Sequence, residues 1–278
     1  MVRLGLLIDI TKCSGCHNCF LACRDEYYGN DYSPYSAPQP LEGQQWMQIK
    51  EIERGEYPRP KLDYIPLPCL HCEEAPCMAA ATDGAVYRRE DGIVLIDPVK
   101  AKGQRAIVGS CPYRVVFWNQ ELEIPQKCTL CAHLLDKGEK EPRCVEACPT
   151  GALVFGDLDD PNSAVAKLAA EKDLEVYHPE YGTSPRVRYI GIPKRFIAGE
   201  VVRDDMRGEC AEGVRVTLEG PGGVRETYSD SYGDFEFEGL EKNTTYTLRV
   251  ELAGYVPQTF EVVTNKDVVL GEIVLTRA

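Results

Sequence analysis

The pattern of apolar and polar positions changes character near Phe196. From there on, apolar and polar residues alternate with a period of two in four short runs: VRVTLEG (214–220), DFEFEGL (234–240), TYTLRVEL (245–252) and FEVVTN (260–265). Because successive side chains of a strand point to opposite faces of a sheet, this alternation indicates strands with one buried face. Turn signals separate the runs, and about seven strands in some 80 residues predict an antiparallel β-sandwich over 196–278. We expect its core to contain Phe235, Phe237, Tyr246, Leu248 and Val250.

The part of the chain before this change contains shorter and less regular elements. The run IVLI (93–96) is strand-like, and a helix is predicted over roughly 163–173, where Asn162 or Ser163 can cap it. Residues 24–68 form a long polar insertion with little period. Since a loop of this length is usually functional or disordered, the insertion either wraps a protein partner or is a solvated loop.

The charge balance of the chain is acidic. Its 278 residues include 31 Lys and Arg against 44 Asp and Glu, which gives a net charge of −13 and a pI near 4.9. Nucleic-acid binding needs a basic surface that displaces counterions, so we expect no nucleic-acid partner. Hydrophobic residues make up 44%, enough for one or two domains with sizeable cores.

The N-terminal stretch MVRLGLLIDITKC has an apolar run that Asp9 interrupts and Lys12 follows. It is too short for a signal peptide or a membrane span. We therefore expect a cytoplasmic protein without direct membrane insertion. Export of a folded complex on a partner's twin-arginine signal is also compatible with this sequence.

Thirteen cysteines are the main chemical signal, and twelve of them lie between Cys13 and Cys148. Dense cysteine in a chain without a leader points to metal rather than to disulfides. Cys13, Cys16, Cys19 and Cys23 have the spacing C-x2-C-x2-C-x3-C of bacterial ferredoxins. Zinc is the alternative, but four cysteines this close would crowd a tetrahedral site, which usually takes two separated pairs.

A motif of the same kind, interrupted by a loop, lies in KCTLCAHLLDKGEKEPRCVEACPTGA (127–152). In two-cluster ferredoxins the fourth cysteine of each motif ligates the other cluster. This rule predicts a first set of cluster ligands, namely Cys13, Cys16, Cys19 and Cys148. It also predicts a second set, namely Cys23, Cys128, Cys131 and Cys144.

The middle of the chain contains two incomplete motifs. PCLHCEEAPC (68–77) supplies three cysteines, but the position of the fourth holds Ala81. Further on, Cys111 stands where a fourth ligand belongs. The three positions that should precede it hold Ala101, Gln104 and Ile107. Cross-ligation then gives one complete third set, namely Cys69, Cys72, Cys77 and Cys111. The four non-ligands form one complete lost site, so the sequence predicts three [4Fe-4S] clusters on a scaffold for four.

These patterns predict an α+β protein with two domains. Tandem bacterial-ferredoxin-like modules that hold the clusters occupy residues 1–195, with an inner module at about 66–115. The β-sandwich follows over 196–278. Cys210, near its start, is expected to be a packed small hydrophobe rather than a ligand.

Several polar residues adjoin the cysteine motifs. His17, His71 and His133 lie inside them and are expected to be outer groups, with tuning of cluster potential through hydrogen bonds to sulfur as the alternative. Lys12 and Lys127 directly precede the first cysteines of two motifs. Their charges can offset the net negative charge of an oxidised cubane with four thiolates.

The cysteine motifs resemble those of the iron–sulfur electron-transfer subunits of molybdopterin oxidoreductases, in the group that includes dimethyl sulfoxide reductase. Within that group the chain is most similar to the small subunits of pyrogallol–phloroglucinol transhydroxylase and its catechol dehydroxylase relatives. The stretches that carry this similarity are GAVYRREDGIVLIDPVKAKG (84–103), KCTLCAHLLDKG (127–138) and HPEYGTSPRVRY (178–189). The C-terminal segment resembles carboxypeptidase-regulatory or transthyretin-like domains.

The resemblance implies the electron-transfer subunit of a heteromeric molybdopterin-dependent oxidoreductase or hydroxytransferase that acts on polyphenols. Molybdopterin with molybdenum or tungsten would lie on a large catalytic partner, and this chain would pass or buffer electrons. The chain itself has no Gly-rich phosphate loop, no nucleophile elbow and no pair of carboxylates that we assign as general acid and base. The alternatives are a free-standing polyferredoxin, the beta subunit of a different molybdopterin reductase, and a structural zinc protein.

Overall fold

The computed structural model describes residues 2–206 and 209–278, which divide into two compact units. The first unit comprises Met1–Glu51 and Tyr64–Ile192, and the second comprises Ile52–Asp63 and Pro193–Ala278. The division after Ile192 falls three residues before the predicted domain boundary at 195. The grouping of 52–63, which lies inside the insertion, with the second unit was not indicated by the hydrophobic pattern.

Six α-helices occur in the described residues: α1 (Asn18–Tyr27), α2 (Pro76–Ala79), α3 (Ala106–Gly109), α4 (Ala132–Leu135), α5 (Arg143–Glu146) and α6 (Ala164–Glu171). Single turns of 3-10 helix occur at Ile10–Lys12, Pro179–Tyr181 and Asp204–Met206. Helix α6 confirms the predicted helix, since the Ser163 hydroxyl accepts a hydrogen bond from the Ala166 N–H at 3.1 Å. The four single-turn helices α2 to α5 each carry or adjoin a cysteine of the motifs.

Nine strands lie wholly or partly in the first unit: β1 (Leu4–Asp9), β2 (Gln48–Arg54), β3 (Lys61–Leu67), β4 (Val86–Arg88), β5 (Val94–Ile96), β6 (Phe117–Asn119), β7 (Ile124–Gln126), β8 (Leu153–Asp157) and β9 (Val187–Ile190). A three-stranded sheet has the order β8-β1-β9, with β8 antiparallel and β9 parallel to β1. The other strands form the two-stranded sheets β2-β3, β4-β5 and β6-β7. Strand β5 confirms the strand-like run IVLI.

The predicted insertion is partly a packed element of the first unit. Trp46 is only 1% exposed, and its ring packs on Tyr27 with 4.6 Å between centroids. The Trp46 indole N–H donates to Gln44 Oε1 at 2.7 Å, and the Gln44 amide donates to Gln126 at 3.1 Å. Since these side chains are buried, the interpretation of the whole insertion as a solvated loop is wrong.

The described residues of the second unit form two four-stranded sheets from β10 (Arg195–Arg203), β11 (Glu209–Cys210), β12 (Arg215–Gly220), β13 (Gly223–Tyr228), β14 (Asp234–Leu240), β15 (Thr245–Glu251), β16 (Gln258–Val263) and β17 (Val268–Leu275). One sheet has the antiparallel order β13-β12-β15-β16. In the other, β11, β14 and β17 all pair with β10, and β10 and β17 are parallel. That pair departs from the antiparallel prediction, because a period-two pattern encodes the buried face of a strand and not its direction.

One hydrophobic core joins the two sheets of the second unit. Its members include the five residues predicted to face it: Phe235, Phe237, Tyr246, Leu248 and Val250. Residues from both sheets contribute, such as Val201 from β10 and Val216 from β12, which is the arrangement of a β-sandwich. In the part of the chain that the structure describes, no helix combines the length and apolar character needed to cross a membrane.

Candidate iron–sulfur cluster sites

The first set of cysteines lines one pocket of about 320 Å³, counted with the space at its mouth. The antiparallel pairing of β1 with β8 places the end of one strand beside the start of the other, with Ile8 opposite Leu153. This register brings Cys148, just before β8, to the loop that holds the three N-terminal cysteines. Cys16 is exposed, so the pocket reaches the surface of the unit.

The loop of the first set turns at Gly15. Its φ is +68°, and a Cβ at this position would lie 2.5 Å from the ring of Tyr64. Because only glycine combines this backbone angle with so close an approach, residue 15 fixes the path of the loop between Cys13 and Cys16.

The second set lies in the interior of the first unit, and all four of its cysteines are buried. Cys23 lies on α1 and Cys144 on α5, and these two helices pack against each other. Burial raises the pKa of both thiols well above the usual value, and their proximity to Cys128 and Cys131 raises it further. Cys128 and Cys131 therefore lie close enough to act on both helix cysteines.

The third set lines a separate pocket of about 360 Å³, again counted with the space at its mouth. Cys69 and Cys72 follow β3, Cys77 lies on α2, and Cys111 follows α3. His71 and Val94 also line this pocket. The structure thus brings together the members of every predicted set.

The chemistry of the donors fits iron–sulfur clusters. All thirteen cysteines are free thiols. Burial raises the pKa of Cys19 and Cys72 to about 12, and neighbouring thiols of the same sets add to the effect. Cluster ligands are thiolates, so these groups need a cationic partner to ionise at neutral pH, which iron would provide.

Among residues 2–206 and 209–278, no three His, Cys, Asp or Glu side chains converge where one ion would bind. Four thiolates around zinc at about 2.3 Å would lie about 3.8 Å apart, whereas a cubane places one iron behind each cysteine and spaces the sulfurs more widely.

None of the four lost-cluster positions lines the pocket of the third set, but two cysteines of that set, Cys77 and Cys111, share the apolar cluster around them. Ala101 and Ile107 are fully buried in an apolar cluster, and Ala81 packs against it. The Gln104 side chain bonds the neighbouring loop instead: its Oε1 accepts from the Thr82 N–H at 2.8 Å, and its amide donates to Lys100 O at 2.9 Å. An apolar core and hydrogen bonds of Gln104 thus occupy the positions at which the sequence predicts a lost cluster.

Two hydroxyl pairs beside the sets were missed by sequence reasoning. In the second set, Thr129 and Tyr27 hydroxyls lie 2.7 Å apart, and a hydrogen bond from Tyr27 opposes the effect of burial on the pKa of Cys131. In the third set, Tyr113 and Thr183 hydroxyls lie 2.6 Å apart. Thr183 likewise lowers the pKa of Cys72 against the larger effect of burial. The available signals were sequence separations: Thr129 lies within two residues of Cys128 and Cys131, and Tyr113 lies two residues after Cys111.

The histidines and lysines of the motifs differ in environment. Lys12 and His17 are about half exposed and lie near Asp9 and Glu51, at 3.7 and 3.6 Å. His133 is buried and bonds Glu26 at 2.9 Å through Nε2. His71 and Lys127 are also buried and are considered below.

Cys210 lies in the second unit, away from the motifs. It is half-buried rather than fully packed, and its sulfur lies 3.7 Å from Glu200 Oε1. Its surroundings therefore differ from the apolar packing expected for it.

Two family models match the chain. A 4Fe-4S dicluster domain matches residues 60–158, and a carboxypeptidase regulatory-like domain matches residues 197–276. These matches confirm the predicted fold class, in which an iron–sulfur domain precedes a β domain.

Known relatives cover either nearly all of the chain or about two thirds of it. The pyrogallol hydroxytransferase small subunit of Pelobacter acidigallici is 42% identical over 282 residues, which cover 99% of this chain and 100% of that protein. A sulfite dehydrogenase subunit of Allochromatium vinosum is 34% identical and covers 70% of this chain and 85% of its own. The arsenate respiratory reductase iron–sulfur subunit of Shewanella sp. strain ANA-3 is 32% identical, with coverage of 68% and 96%.

Proposed function

Because the chain belongs to the family of pyrogallol hydroxytransferase small subunits, among the iron–sulfur subunits of the dimethyl sulfoxide reductase group, we propose that it transfers electrons within a heteromeric molybdoenzyme acting on polyphenols. The identity of 42% along 99% of the chain carries this proposal. The sulfite and arsenate relatives match 70% and 68% of the chain. The polyphenol branch is therefore favoured over a subunit of another molybdopterin reductase.

The proposed cofactors are three [4Fe-4S] clusters, one for each set of cysteines. When bound, a cluster supplies reversible one-electron transfer. The cysteines of the second set are buried, so a cluster bound there would be shielded from water. Cys16 of the first set is exposed, so a cluster bound there would lie near the surface of the unit. These environments favour the first set as the place where electrons enter or leave the chain.

The proposed partner is a large catalytic subunit that carries molybdopterin with molybdenum or tungsten. Support comes from the relatives, whose names describe subunits. Hydroxyl transfer between two phenols needs no net electrons, so in that reaction the chain would buffer electrons for the metal centre. A net dehydroxylation would instead need electrons to pass through it.

Metal analysis of the native complex, purified without oxygen, tests the proposal. We expect about twelve irons per chain, one molybdenum or tungsten, and a second, larger chain. Iron without a heavier metal or a second chain would overturn the subunit proposal and leave a free electron carrier. The cytoplasmic location stays part of the proposal and is tested by separating periplasmic from cytoplasmic fractions and following the complex.

A further inference from the structure

Lys127 carries a charge in the interior of the first unit. Its side chain is 2% exposed. Its Nζ donates hydrogen bonds to Val94 O at 2.5 Å and to Cys128 O at 3.2 Å. Within the described residues, these carbonyls are its polar partners, and no Asp or Glu is paired with it. A buried charge without an opposite charge is unfavourable. Negative charge close to the ammonium would therefore stabilise it.

The ammonium lies between the second and the third set. Cys128, whose carbonyl it contacts, belongs to the second set. Val94, whose carbonyl it also contacts, lines the pocket of the third set. In agreement with this position, the ammonium opposes the effect of burial on the pKa of both Cys77 and Cys128.

Lys12 has the same place in its motif but a different environment. Its side chain is 50% exposed and lies 3.7 Å from the carboxylate of Asp9, which is itself buried. Water and this carboxylate screen the charge of Lys12. The chain therefore contains a natural control for the buried lysine.

We propose that Lys127 is a shared cation that raises the reduction potentials of the clusters held by the second and third sets together. The inference rests on the proposed function, since it assumes that these sets hold clusters. Reduction adds one electron, and so one negative charge, to a cluster. A buried positive charge close to two clusters stabilises the reduced form of each more than an exposed charge does.

His71 lines the pocket of the third set and provides a second comparison. The Val94 N–H donates to His71 Nδ1 at 3.0 Å, so the neutral ring carries its proton on Nε2. This Nε2 is buried without a partner, and His71 lines the pocket of the third set. Its N–H is thus available to sulfur of one cluster, whereas the Lys127 charge acts on two.

The test is a redox titration of the intact complex, reduced with dithionite and followed by electron paramagnetic resonance. We expect Lys127→Met to lower two of the three midpoint potentials, each by at least 59 mV, which is a tenfold change in the ratio of oxidised to reduced cluster. Lys12→Met should leave all three within that limit. His71→Leu should lower one, and it should be one of the two that Lys127→Met lowers. Lys127→Arg, which keeps the charge, should restore both potentials.

The outcomes separate this inference from the proposed function. Fewer than three clusters in the unaltered complex would overturn the proposed function. Three clusters whose potentials do not respond to Lys127→Met, or of which only one responds, would overturn the shared cation alone. If Lys127→Met fails to load iron, Lys127→Gln keeps a donor for the two carbonyls without the charge. Loss of iron in both variants but not in Lys127→Arg would assign the residue to cluster assembly and overturn its role in tuning.

Discussion

The inner module, at about residues 66–115, has two halves built on the same helices. One half contains a cysteine pocket, and the other contains an apolar core. One half is the pocket of the third set, lined by four cysteines. The other contains the lost-cluster positions, where Ala101 and Ile107 are fully buried among apolar side chains. The helices serve both halves: α2 places Cys77 at the pocket and leads to Ala81, and α3 carries Ile107 and leads to Cys111.

This difference shows what a cluster contributes to a fold of short helices. A [4Fe-4S] cluster joins four chain positions at once. Here the four positions predicted for the lost site all hold residues that are not cluster ligands. The buried Ile107 side chain packs in the apolar cluster. The Gln104 side chain forms two hydrogen bonds with the backbone of Thr82. The half that contains the lost-cluster positions is therefore an apolar core, which agrees with the prediction that it binds no cluster.

The largest expected effect is that of Cys111→Ser. This substitution removes one ligand of the third set, so we expect loss of about four irons per chain, together with loss of one paramagnetic signal. Cys210→Ser, which lies outside the sets, is the matched control and should keep the iron content. Iron content and spectra unchanged in Cys111→Ser would defeat the cross-ligation argument, because they would mean that the set is completed from elsewhere.

Ile107→Ala should affect the stability of the first unit but not its iron content. Iron content should stay unchanged, since no metal is expected at this position. The free energy of unfolding should fall by about 2–5 kcal/mol, because the substitution leaves a cavity in a fully buried site. Thermal denaturation followed by cluster absorbance measures this as a lower Tm, by about 2–4 °C for each kcal/mol in a unit of this size.

Val99→Ala is the matched control for that experiment. Val99 lies in the same module but is 82% exposed, so its truncation should change the free energy of unfolding by less than about 0.5 kcal/mol. A loss of iron in Ile107→Ala, with Val99→Ala unaffected, would show that the half with the lost-cluster positions still takes part in metal binding.

The cysteine sets are predicted from spacing alone, because the motif is local and the cross-ligation rule is general. The core residues of the β-sandwich, such as Phe235, follow from the period-two pattern for the same local reason. The burial of the lysine side chains could not be predicted from such local patterns. Lys12 and Lys127 both precede a cysteine, and only packing by distant segments makes one exposed and the other buried. The parallel pairing of β10 with β17 and the contacts of Gln104 also depend on segments that are separated along the chain.

The smallest expected effect is that of Gln104→Ala. The side chain makes three hydrogen bonds, two with Thr82 and one with Lys100. Because the site is only half-buried, water can replace part of them, and we expect a loss of about 0.5–1.5 kcal/mol in the free energy of unfolding with unchanged iron content. Lys102→Ala, at an exposed position on the same turn, is the control for a change of surface alone. If Gln104→Ala were no less stable than Lys102→Ala, the apolar packing around Ile107 would by itself account for the stability of the half with the lost-cluster positions.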